Sequence, residues 1–522
     1  MLIAMVNYNR LPVAYSVLRH SSQNTFKYLT RYFRTDGACV QLSESASQHH
    51  AHDLASEHTV QNPFPLTGIF EHDRVTGRFM RPPPDTHHDL SSSSDSANVP
   101  YWQKIPLWKD IADDEFLSYQ WQLSNSVQGE KKLRDFLTAV LPSNIPPSRT
   151  ALPHVTTANT PDIFINSVSD AISKAPMAIR LTPHILSVID WSNPIDDPIR
   201  RQFIPMGSEL IPDHHRLKLD SLNEEHDSPV KGLVHRYPTK ALFLATSVCN
   251  VYCRFCTRSY AVGANTSTVT KNSLKPTKRR WEEVFKYIEN TPQLNDIVVS
   301  GGDSYYLSPE QLYHIGERLL SIPHIKRFRY ATKGLAVCPS RILDANDTWS
   351  SALIAISNMG KKMGKAVAVH THFNHPNEIT WITKLAAQNL FENGVTVRNQ
   401  TVLLRGVNDD VSVMKTLINN LANMNIQPYY VYQGDMVRGV EDLRTPLSTI
   451  LDLEMQIRGS IGGFLTPQFI VDLPGGGGKR LASSYETYDR KTGLSTFLAP
   501  AVTGGLSKIF EYHDPVRSLP GQ

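Results

Sequence analysis

Short apolar runs recur through the second half of the chain, and amphipathic stretches separate most of them. Apolar runs of this length are typical of buried strands, whereas apolar residues spaced three and four apart are typical of helices. Strands that alternate with helices favour a parallel sheet built from βα units. The predicted strands are Ala241–Thr246, Asp296–Ser300, Arg327–Thr332, Ala366–His370, Thr396–Val402, Pro428–Tyr432 and Phe469–Val471. Predicted helices between them include Trp281–Glu289, Pro309–Ser321, Glu378–Asn393 and Ser412–Met424.

Polar residues follow most of these strands at the carboxyl end, and Asn399-Gln400 lies within the fifth strand. The cysteine-rich stretch 249–256 follows the first strand, and Gly301-Gly302-Asp303 follows the second. Because the carboxyl ends of parallel strands meet at one edge, we expect these side chains to converge there. The fold class predicted is therefore α/β, with a partial or full (β/α) barrel over residues 236–480. The other residues at this edge are His372, His375, Asn399, Gln400, Asp435, Asp472 and the stretch Pro474–Lys479.

The chain before the barrel divides into three parts by composition. Residues 1–35 contain five arginines or lysines and no acid. Such a start resembles an organelle transit peptide and predicts import into mitochondria, with a cytoplasmic location as the alternative. Residues 36–100 are rich in histidine, proline and serine, which predicts a disordered linker. Residues 101–235 carry apolar residues at helical spacing and are predicted to form a mostly helical N-terminal region; residues 481–522 form a C-terminal extension.

Composition narrows the range of partners. The formal net charge of +4 on 522 residues is small, and no basic block with interleaved aromatic residues occurs. This argues against a nucleic acid partner. No run of eighteen or more apolar residues is present, so we expect no membrane-spanning segment.

Three of the five cysteines, Cys249, Cys253 and Cys256, lie within eight residues at the spacing C-x3-C-x2-C. Thiolates are soft ligands that suit iron–sulfur clusters, and a compact loop can aim three of them at one cluster. A [4Fe–4S] cluster held by three cysteines leaves one iron open to a small molecule. The alternative is zinc, but a closed structural zinc site needs a fourth ligand, and the next cysteine, Cys338, is distant in sequence.

A lysine follows four consecutive glycines in Pro474–Lys479. The stretch lacks the glycine and the Ser/Thr of a Walker loop. A lysine on a flexible glycine arm suits an imine with pyridoxal phosphate, although a flexible surface loop explains the pattern equally well. Arg236 and Tyr237 supply a guanidinium for a phosphate and a ring for stacking on a pyridine.

Two aspartates, Asp435 and Asp472, end consecutive predicted strands. If both face the same edge, they can pair with a buried ammonium and offset its desolvation. The alternative for each is a loop cap or a surface charge.

Taken together, these motifs resemble the lysine 2,3-aminomutase family of radical S-adenosylmethionine enzymes over roughly residues 101–500. The resemblance rests on the cysteine loop and on several longer matching stretches. These are Trp108–Leu123, Leu181–His184 through Ile204-Pro205, His235–Pro238, Ser300–Asp303, His372–Glu378, Gln400–Asp409, Tyr432–Asp435, Arg444–Pro446 and Asp472–Lys479.

The resemblance implies three cofactors and assigns residues to each. It implies that Cys249, Cys253 and Cys256 ligate a [4Fe–4S] cluster. It implies that S-adenosylmethionine is bound by Gly301, Gly302, Asp303, His372 and Gln400. Pyridoxal 5′-phosphate would be held by Lys479, with Arg236 and Lys240 near its phosphate and Tyr237 against its ring. Arg258 would bind the substrate carboxylate, and Asp435 and Asp472 the distal ammonium, which points to lysine and away from glutamate.

The implied activity is an isomerase reaction on free L-lysine. The reduced cluster would cleave S-adenosylmethionine to give a 5′-deoxyadenosyl radical, which takes a β-hydrogen from lysine held as an imine. The nitrogen then moves from C2 to C3, and return of the hydrogen gives β-lysine. An electron donor for the cluster and a homo-oligomeric state are implied as well. The alternatives are an aminomutase for another amino acid or for protein-bound lysine, and a non-catalytic metal-binding relative.

The chain departs from the family pattern at several positions. Lys240 stands where a second phosphate-binding arginine is usual, Ser259-Tyr260 replaces a basic pair, and Ala331-Thr332-Lys333 replaces Gly-Thr-Arg. No cysteine follows Cys338, so the accessory zinc site of some members has no ligands here.

Overall fold

The computed structural model describes residues 99–149, 158–502 and 507–519. The predicted transit segment 1–35 lies outside these ranges, and so does the predicted linker except for residues 99 and 100. No helix within the described ranges has both the length and the apolar character needed to cross a bilayer.

The first described region combines short helices with long irregular stretches, so it is less helical than the sequence predicts. Its aromatic core includes Trp102 and Phe116, whose rings stack with centroids 4.2 Å apart. A two-stranded ribbon joins β1 (Val127–Gln128) to β2 (Arg180–Leu181). The helices are α1 (Asp113–Leu117), α2 (Tyr119–Ser124), α3 (Gly129–Val140), α4 (Pro161–Lys174), α5 (Pro183–Val188) and α6 (Pro198–Phe203).

A nine-stranded sheet follows in which the strands lie in chain order. Strands β4 to β10 run parallel, and β3 and β11 are antiparallel to their neighbours at the two edges. The predicted fold class, a partial (β/α) barrel, is confirmed. The strands are β3 (Leu233–Tyr237), β4 (Lys240–Thr246), β5 (Asp296–Gly301), β6 (Arg327–Ala331), β7 (Ala366–Thr371), β8 (Thr396–Val402), β9 (Gln427–Tyr432), β10 (Gln468–Leu473) and β11 (Gly478–Leu481).

Helices between the strands cover the outer face of the sheet. Side chains alternate along each strand, so Phe243 points outward to helix residues Trp281 and Phe285, with ring centroids 6.5 and 5.7 Å away. The register partners Leu242, Val298 and Arg329 line a cavity on the other face. The helices are α7 (Lys278–Glu289), α8 (Pro309–Ser321), α9 (Gly334–Val337), α10 (Ser340–Leu343), α11 (Trp349–Lys362), α12 (Trp381–Glu392), α13 (Val411–Asn423) and α14 (Leu447–Ile457).

The two edges of the sheet approach each other without forming a strand pair. The backbone N–H of Lys479 on β11 donates to the hydroxyl of Tyr237 on β3 over 3.0 Å. Gly475, in the turn between β10 and β11, donates from its N–H to the carbonyl of Ser221 over 2.7 Å. These bonds nearly close the barrel and bring the two ends of the sheet to one site.

The C-terminal residues form a separate three-stranded antiparallel sheet of β12 (Thr487–Asp489), β13 (Leu494–Leu498) and β14 (Ile509–His513). Tyr512 on β14 anchors it to the barrel. Its hydroxyl accepts from Gln433 Nε2 over 3.0 Å and donates to the carbonyl of Gly434 over 2.8 Å. Both partners follow β9, so this sheet supports the loop that carries Asp435.

Candidate active site

The carboxyl ends of the strands surround a cavity of about 290 Å³. All three clustered cysteines line it, and so does Lys479 from the opposite edge of the sheet. The other predicted site residues on its wall are Arg258, Gly302, Asp303, His372, Gln400, Asp435 and Asp472.

A second cavity, of about 230 Å³, adjoins the first inside the barrel. Arg236, Tyr237 and Lys240 line it. The two cavities share residues of their walls, so they are neighbours. The shared predicted residues are Arg258, Gln400, Asp472 and Lys479.

Backbone contacts with the N-terminal region hold the cysteine loop. The N–H of Tyr252 donates to the carbonyl of Arg180 over 3.1 Å, and the N–H of Arg254 donates to the carbonyl of Gln202 over 2.9 Å. The Arg254 side chain also pairs with both oxygens of Asp442 at 3.0 and 2.9 Å. The loop is therefore fixed from both sides before any ligand binds.

The thiols are suited to a cluster that brings its own positive charge. Burial raises the pKa of Cys253 to about 12, and burial followed by the charge of Asp303 raises the pKa of Cys249. Iron would favour the thiolates. Within the described residues, no three His, Cys, Asp or Glu side chains are grouped as they are around one metal ion. A cluster is ligated at separate iron atoms, whereas the ligands of one zinc ion all lie about 2.3 Å or less from it.

Gly301 and Gly302 allow β5 to approach the start of the cysteine loop. Gly301 has φ +119°, and a Cβ there would collide with the carbonyl of Thr246. A Cβ on Gly302 would lie 2.5 Å from the carbonyl oxygen of Val248. The glycines thus allow close contact between two protein segments; their assignment to the S-adenosylmethionine site, which the resemblance implies, stays a prediction. Gly301 does not itself line either cavity.

Asp303 links the end of β5 to the end of β6. Its Oδ1 accepts from the N–H of Tyr305 over 2.8 Å, and its Oδ2 accepts from the N–H of Lys333 over 2.9 Å. A carboxylate oxygen has a second acceptor position, so Asp303 can still face a hydroxyl or an ammonium in the cavity.

Several polar atoms on the wall of the larger cavity are buried without a protein partner among the described residues. These are Nε2 of His372, Nε2 of His370 and Oγ1 of Thr371. Burial lowers the pKa of His370 to about 3 and holds that of His372 well below its usual value, so both imidazoles are neutral. Unpartnered buried polar atoms are costly, and a polar ligand such as S-adenosylmethionine would supply partners. His375, by contrast, caps the turn Pro376–Glu378 and does not line the cavity.

Gln400 and Lys333 are held by neighbours at the same edge. Gln400 Nε2 lies 2.7 Å from His370 Nδ1, and its Oε1 accepts from the hydroxyl of Tyr432 over 3.2 Å. Lys333 donates to the buried carboxylate of Glu378 and to the carbonyl of His372, both over 2.8 Å. Lys333 thereby supports the loop of His372, a role that sequence reasoning did not assign.

Cationic side chains line the smaller cavity. Arg236 donates from Nε to Asp227 Oδ2 over 2.7 Å. The Lys240 ammonium lies 3.9 Å from the centre of the Tyr237 ring, and burial, followed by the charge of Lys479, lowers its pKa to about 8. Arg329, which the motifs did not single out, adds a third cation; its guanidinium forms an ion pair with Asp296, and its buried Nε has no partner among the described residues. Such a donor set suits a phosphate dianion.

Lys479 and Asp472 face each other as a cross-strand pair on β11 and β10. Their side chains form an ion pair in which Asp472 is 5% exposed. Burial is the largest single influence and would lower the pKa of Lys479, but the charge and hydrogen bond of Asp472, together with Tyr432 and Tyr237, outweigh it and hold the pKa well above the usual value. Lys479 lies in the short strand β11. The glycines before it form a turn in which Gly475 and Gly476 have φ of 71° and 91°, whereas the sequence predicts a flexible arm.

Asp435 lies near this pair and carries a perturbed carboxyl. Burial, followed by the charge of Asp472, raises its pKa to about 7. Its Oδ2 accepts from the hydroxyl of Thr257 over 2.7 Å. Oδ1 of Asp435 and Oδ1 of Asp472 are buried and have no partner in the described part of the chain. Two such oxygens suit an added ammonium group.

Arg258 is held by a residue that sequence reasoning missed. Its Nε and Nη2 donate to the two carboxylate oxygens of Glu224 over 2.9 and 2.8 Å. Tyr260 donates from its hydroxyl to Glu224 Oε2 over 3.0 Å. Glu224 lies in an irregular stretch, so no periodic pattern identified it.

The chain is similar to several curated proteins, although no family model matches it. L-lysine 2,3-aminomutase of Clostridium subterminale is 37% identical over 377 residues, which cover 72% of this chain and 80% of that protein. L-lysine 2,3-aminomutase of Methanococcus maripaludis is 34% identical over 75% of this chain and 80% of that one. Glutamate 2,3-aminomutase of Clostridioides difficile is 31% identical over 72% of this chain and 79% of that one.

Proposed function

Because the chain belongs to the L-lysine 2,3-aminomutase family and is an isomerase of that type, we propose that it converts free L-lysine to β-lysine. The amino group would move from C2 to C3. We propose that the chain uses a [4Fe–4S] cluster, S-adenosylmethionine and pyridoxal phosphate. An electron donor would reduce the cluster, and the chain would act as a homo-oligomer.

One observation carries the proposal: Cys249, Cys253 and Cys256 line the same cavity as Lys479. When bound, the cluster with S-adenosylmethionine supplies an organic radical, and pyridoxal phosphate supplies an imine partner for the substrate amine. A radical formed at one wall can act only on a substrate held close to it. The shared wall of the two cavities supports that proximity.

The residues of this chain would orient the substrate at both of its ends. Arg258 would bind the carboxylate through the part of its guanidinium that faces the cavities. The unpartnered oxygens of Asp435 and Asp472 would accept the distal ammonium. Lys479 would carry the amine to which pyridoxal phosphate attaches, with Arg236, Lys240 and Arg329 near the phosphate and Tyr237 near the ring.

The same pair of aspartates favours lysine over glutamate. The distal carboxylate of glutamate would meet two buried carboxylates, and like charges at short range in a buried site repel strongly. A relative that is a glutamate 2,3-aminomutase makes this choice worth testing directly.

Anaerobic reconstitution tests the proposal. The purified chain would be loaded with iron, sulfide and pyridoxal phosphate, reduced, and given S-adenosylmethionine with ¹³C-labelled lysine, glutamate or a lysine-containing peptide in parallel. β-Lysine detected by NMR from free lysine alone is the expected result. Product from glutamate alone, product from the peptide alone, or no product with a fully loaded protein would each contradict the proposal. Cys338→Ser is the matched control for a cysteine that lies outside the cavity.

We propose in addition that residues 1–35 direct the chain to mitochondria. Support comes only from their basic, acid-free composition. Fusing these residues to a fluorescent protein should give a mitochondrial pattern in the source cells. A diffuse pattern that matches the unfused fluorescent protein would refute mitochondrial targeting by these residues.

A further inference from the structure

Glu224 is a buried carboxylate beside the proposed substrate. It is 3% exposed and lines the smaller cavity. The turn that carries it is fixed at both sides, because its N–H donates to Asp220 Oδ1 over 2.9 Å and its carbonyl accepts from Ser228 Oγ over 2.7 Å. Its position is therefore set by its own segment before it contacts Arg258.

The guanidinium of Arg258 has two edges that can each bind a carboxylate. One edge consists of Nε and Nη2, and Glu224 occupies it with both oxygens. The other edge consists of Nη1 and the second hydrogen of Nη2. The hydrogen bonds of the Arg258 guanidinium to described residues come from Nε and Nη2, and the side chain is 23% exposed. Arg258 lines both cavities, so this second edge is open for a ligand.

From this geometry we propose that Glu224 is a positioning residue that holds Arg258 for the substrate carboxylate. The inference rests on the proposed function only for the role of Arg258. A free arginine side chain has many rotamers, and fixing one edge removes most of that freedom before the substrate arrives. Tyr260 completes the arrangement, because its hydroxyl fixes the Glu224 oxygen that bonds to Arg258 Nε.

A purely structural ion pair is the competing explanation. A buried carboxylate needs a partner whether or not a substrate binds, so loss of stability on substitution would not distinguish the two. If Glu224 positions Arg258 for the substrate, it should affect the binding only of ligands that carry the α-carboxylate. It should also act only through Arg258.

Binding of paired ligands to the reconstituted holoenzyme tests this claim. Lysine and 1,5-diaminopentane differ only in the carboxylate, and calorimetry without S-adenosylmethionine measures both dissociation constants without turnover. In Glu224→Gln one oxygen becomes an amide donor that faces a guanidinium donor. Lysine should bind about tenfold to a hundredfold more weakly, while the diamine should bind as before. Glu225→Gln is the matched control, since Glu225 is exposed and lines neither cavity.

The dependence on Arg258 gives a second criterion. In an Arg258→Met background, Glu224→Gln should cause no further loss of lysine selectivity. An unchanged selectivity in Glu224→Gln, an equal loss for both ligands, or multiplied effects in the double variant would overturn the proposal. Should Glu224→Gln fail to fold, Tyr260→Phe decides: a severalfold loss for lysine alone supports the proposal, and an unchanged ratio refutes it.

The test also separates this proposal from the proposed function. Binding needs no turnover, so a chain that forms no β-lysine can still report the role of Glu224. If glutamate proves to be the substrate, glutamate and 4-aminobutyrate form the equivalent pair, because they too differ only in the α-carboxylate.

Discussion

Replacing Asp435 by asparagine should stabilise the cofactor-free protein above neutral pH. Burial, followed by the charge of Asp472, raises the pKa of this carboxyl from an ordinary 3.8 to about 7. Asparagine has a similar shape, keeps an oxygen that can accept from Thr257, and carries no charge at any pH. The substitution therefore removes the cost of ionising a buried carboxyl and little else.

The size of the effect follows from linkage between protonation and folding. Each tenfold change in proton affinity corresponds to about 1.36 kcal/mol, so a pKa that rises from 3.8 to about 7 corresponds to up to about 4 kcal/mol. Below pH about 4 the carboxyl is protonated in both states, and no penalty exists. Between pH about 4 and 7 the folded protein keeps a proton that the unfolded chain has released, so stability falls as pH rises.

Urea unfolding of the parent and of Asp435→Asn at pH 5, 6, 7 and 8 measures this difference. The gap in the free energy of unfolding should favour the variant by about 1.7 kcal/mol at pH 5, widen to about 4 kcal/mol at pH 7, and change little by pH 8. Asp410→Asn is a control of opposite sign. Hydrogen bonds from Ser412 and from the N–H of Val413 lower the pKa of Asp410. The Asp410→Asn variant should therefore be less stable than the parent at neutral pH.

A constant gap between pH 5 and 8, or a variant less stable than the parent at pH 8, would show that Asp435 carries no ionisation penalty. In the loaded enzyme the same substitution should raise the KM for lysine. Such a trade between stability and binding is expected of a residue that holds substrate charge.

Three other substitutions test the cofactor residues. Lys479→Ala should abolish the pyridoxal absorption that survives dialysis, whereas Arg480→Ala should keep it; retained absorption in Lys479→Ala would exclude that lysine. Cys253→Ser should lose iron and brown colour after reconstitution, while Cys338→Ser should retain both, and equal iron in the two would contradict the cluster assignment. Gly302→Ala places a Cβ 2.5 Å from a backbone oxygen and should cost about 1–3 kcal/mol of stability; an unchanged Tm would show that the backbone there yields.

The central strands could be predicted because their pattern is local. Buried parallel strands carry apolar runs bounded by turn residues, as in β5 and β7, and their ends fall at one edge by topology. That rule was enough to expect Cys249, His372 and Asp435 near one another, and all three line one cavity. The cysteine spacing in addition indicated an iron–sulfur cluster at this edge.

Residues that depend on long-range contacts could not be predicted in this way. Glu224 lies 34 positions before Arg258 in an irregular stretch, and no local sequence pattern indicates that the two side chains pair. Arg329 shares its strand with apolar residues and faces inward only because of the register of β5 and β6. Lys333 differs from the family pattern, and only the structure reveals its bond to the carbonyl of His372.

The edge strands show why these gaps lie at the site itself. Strand β11 has four mostly polar residues, and in β3 the apolar pair Leu233-Val234 gives way to His235 and Arg236, so neither has the longer apolar run that identifies a strand. They are polar because they carry Arg236, Tyr237 and Lys479 toward the cavity, and they meet through one side-chain bond instead of a ladder. A fully paired, apolar seam would close the barrel and leave no wall for these side chains. The local sequence pattern therefore does not predict the two edge strands of the open sheet, and these edge strands carry the residues proposed to hold pyridoxal phosphate.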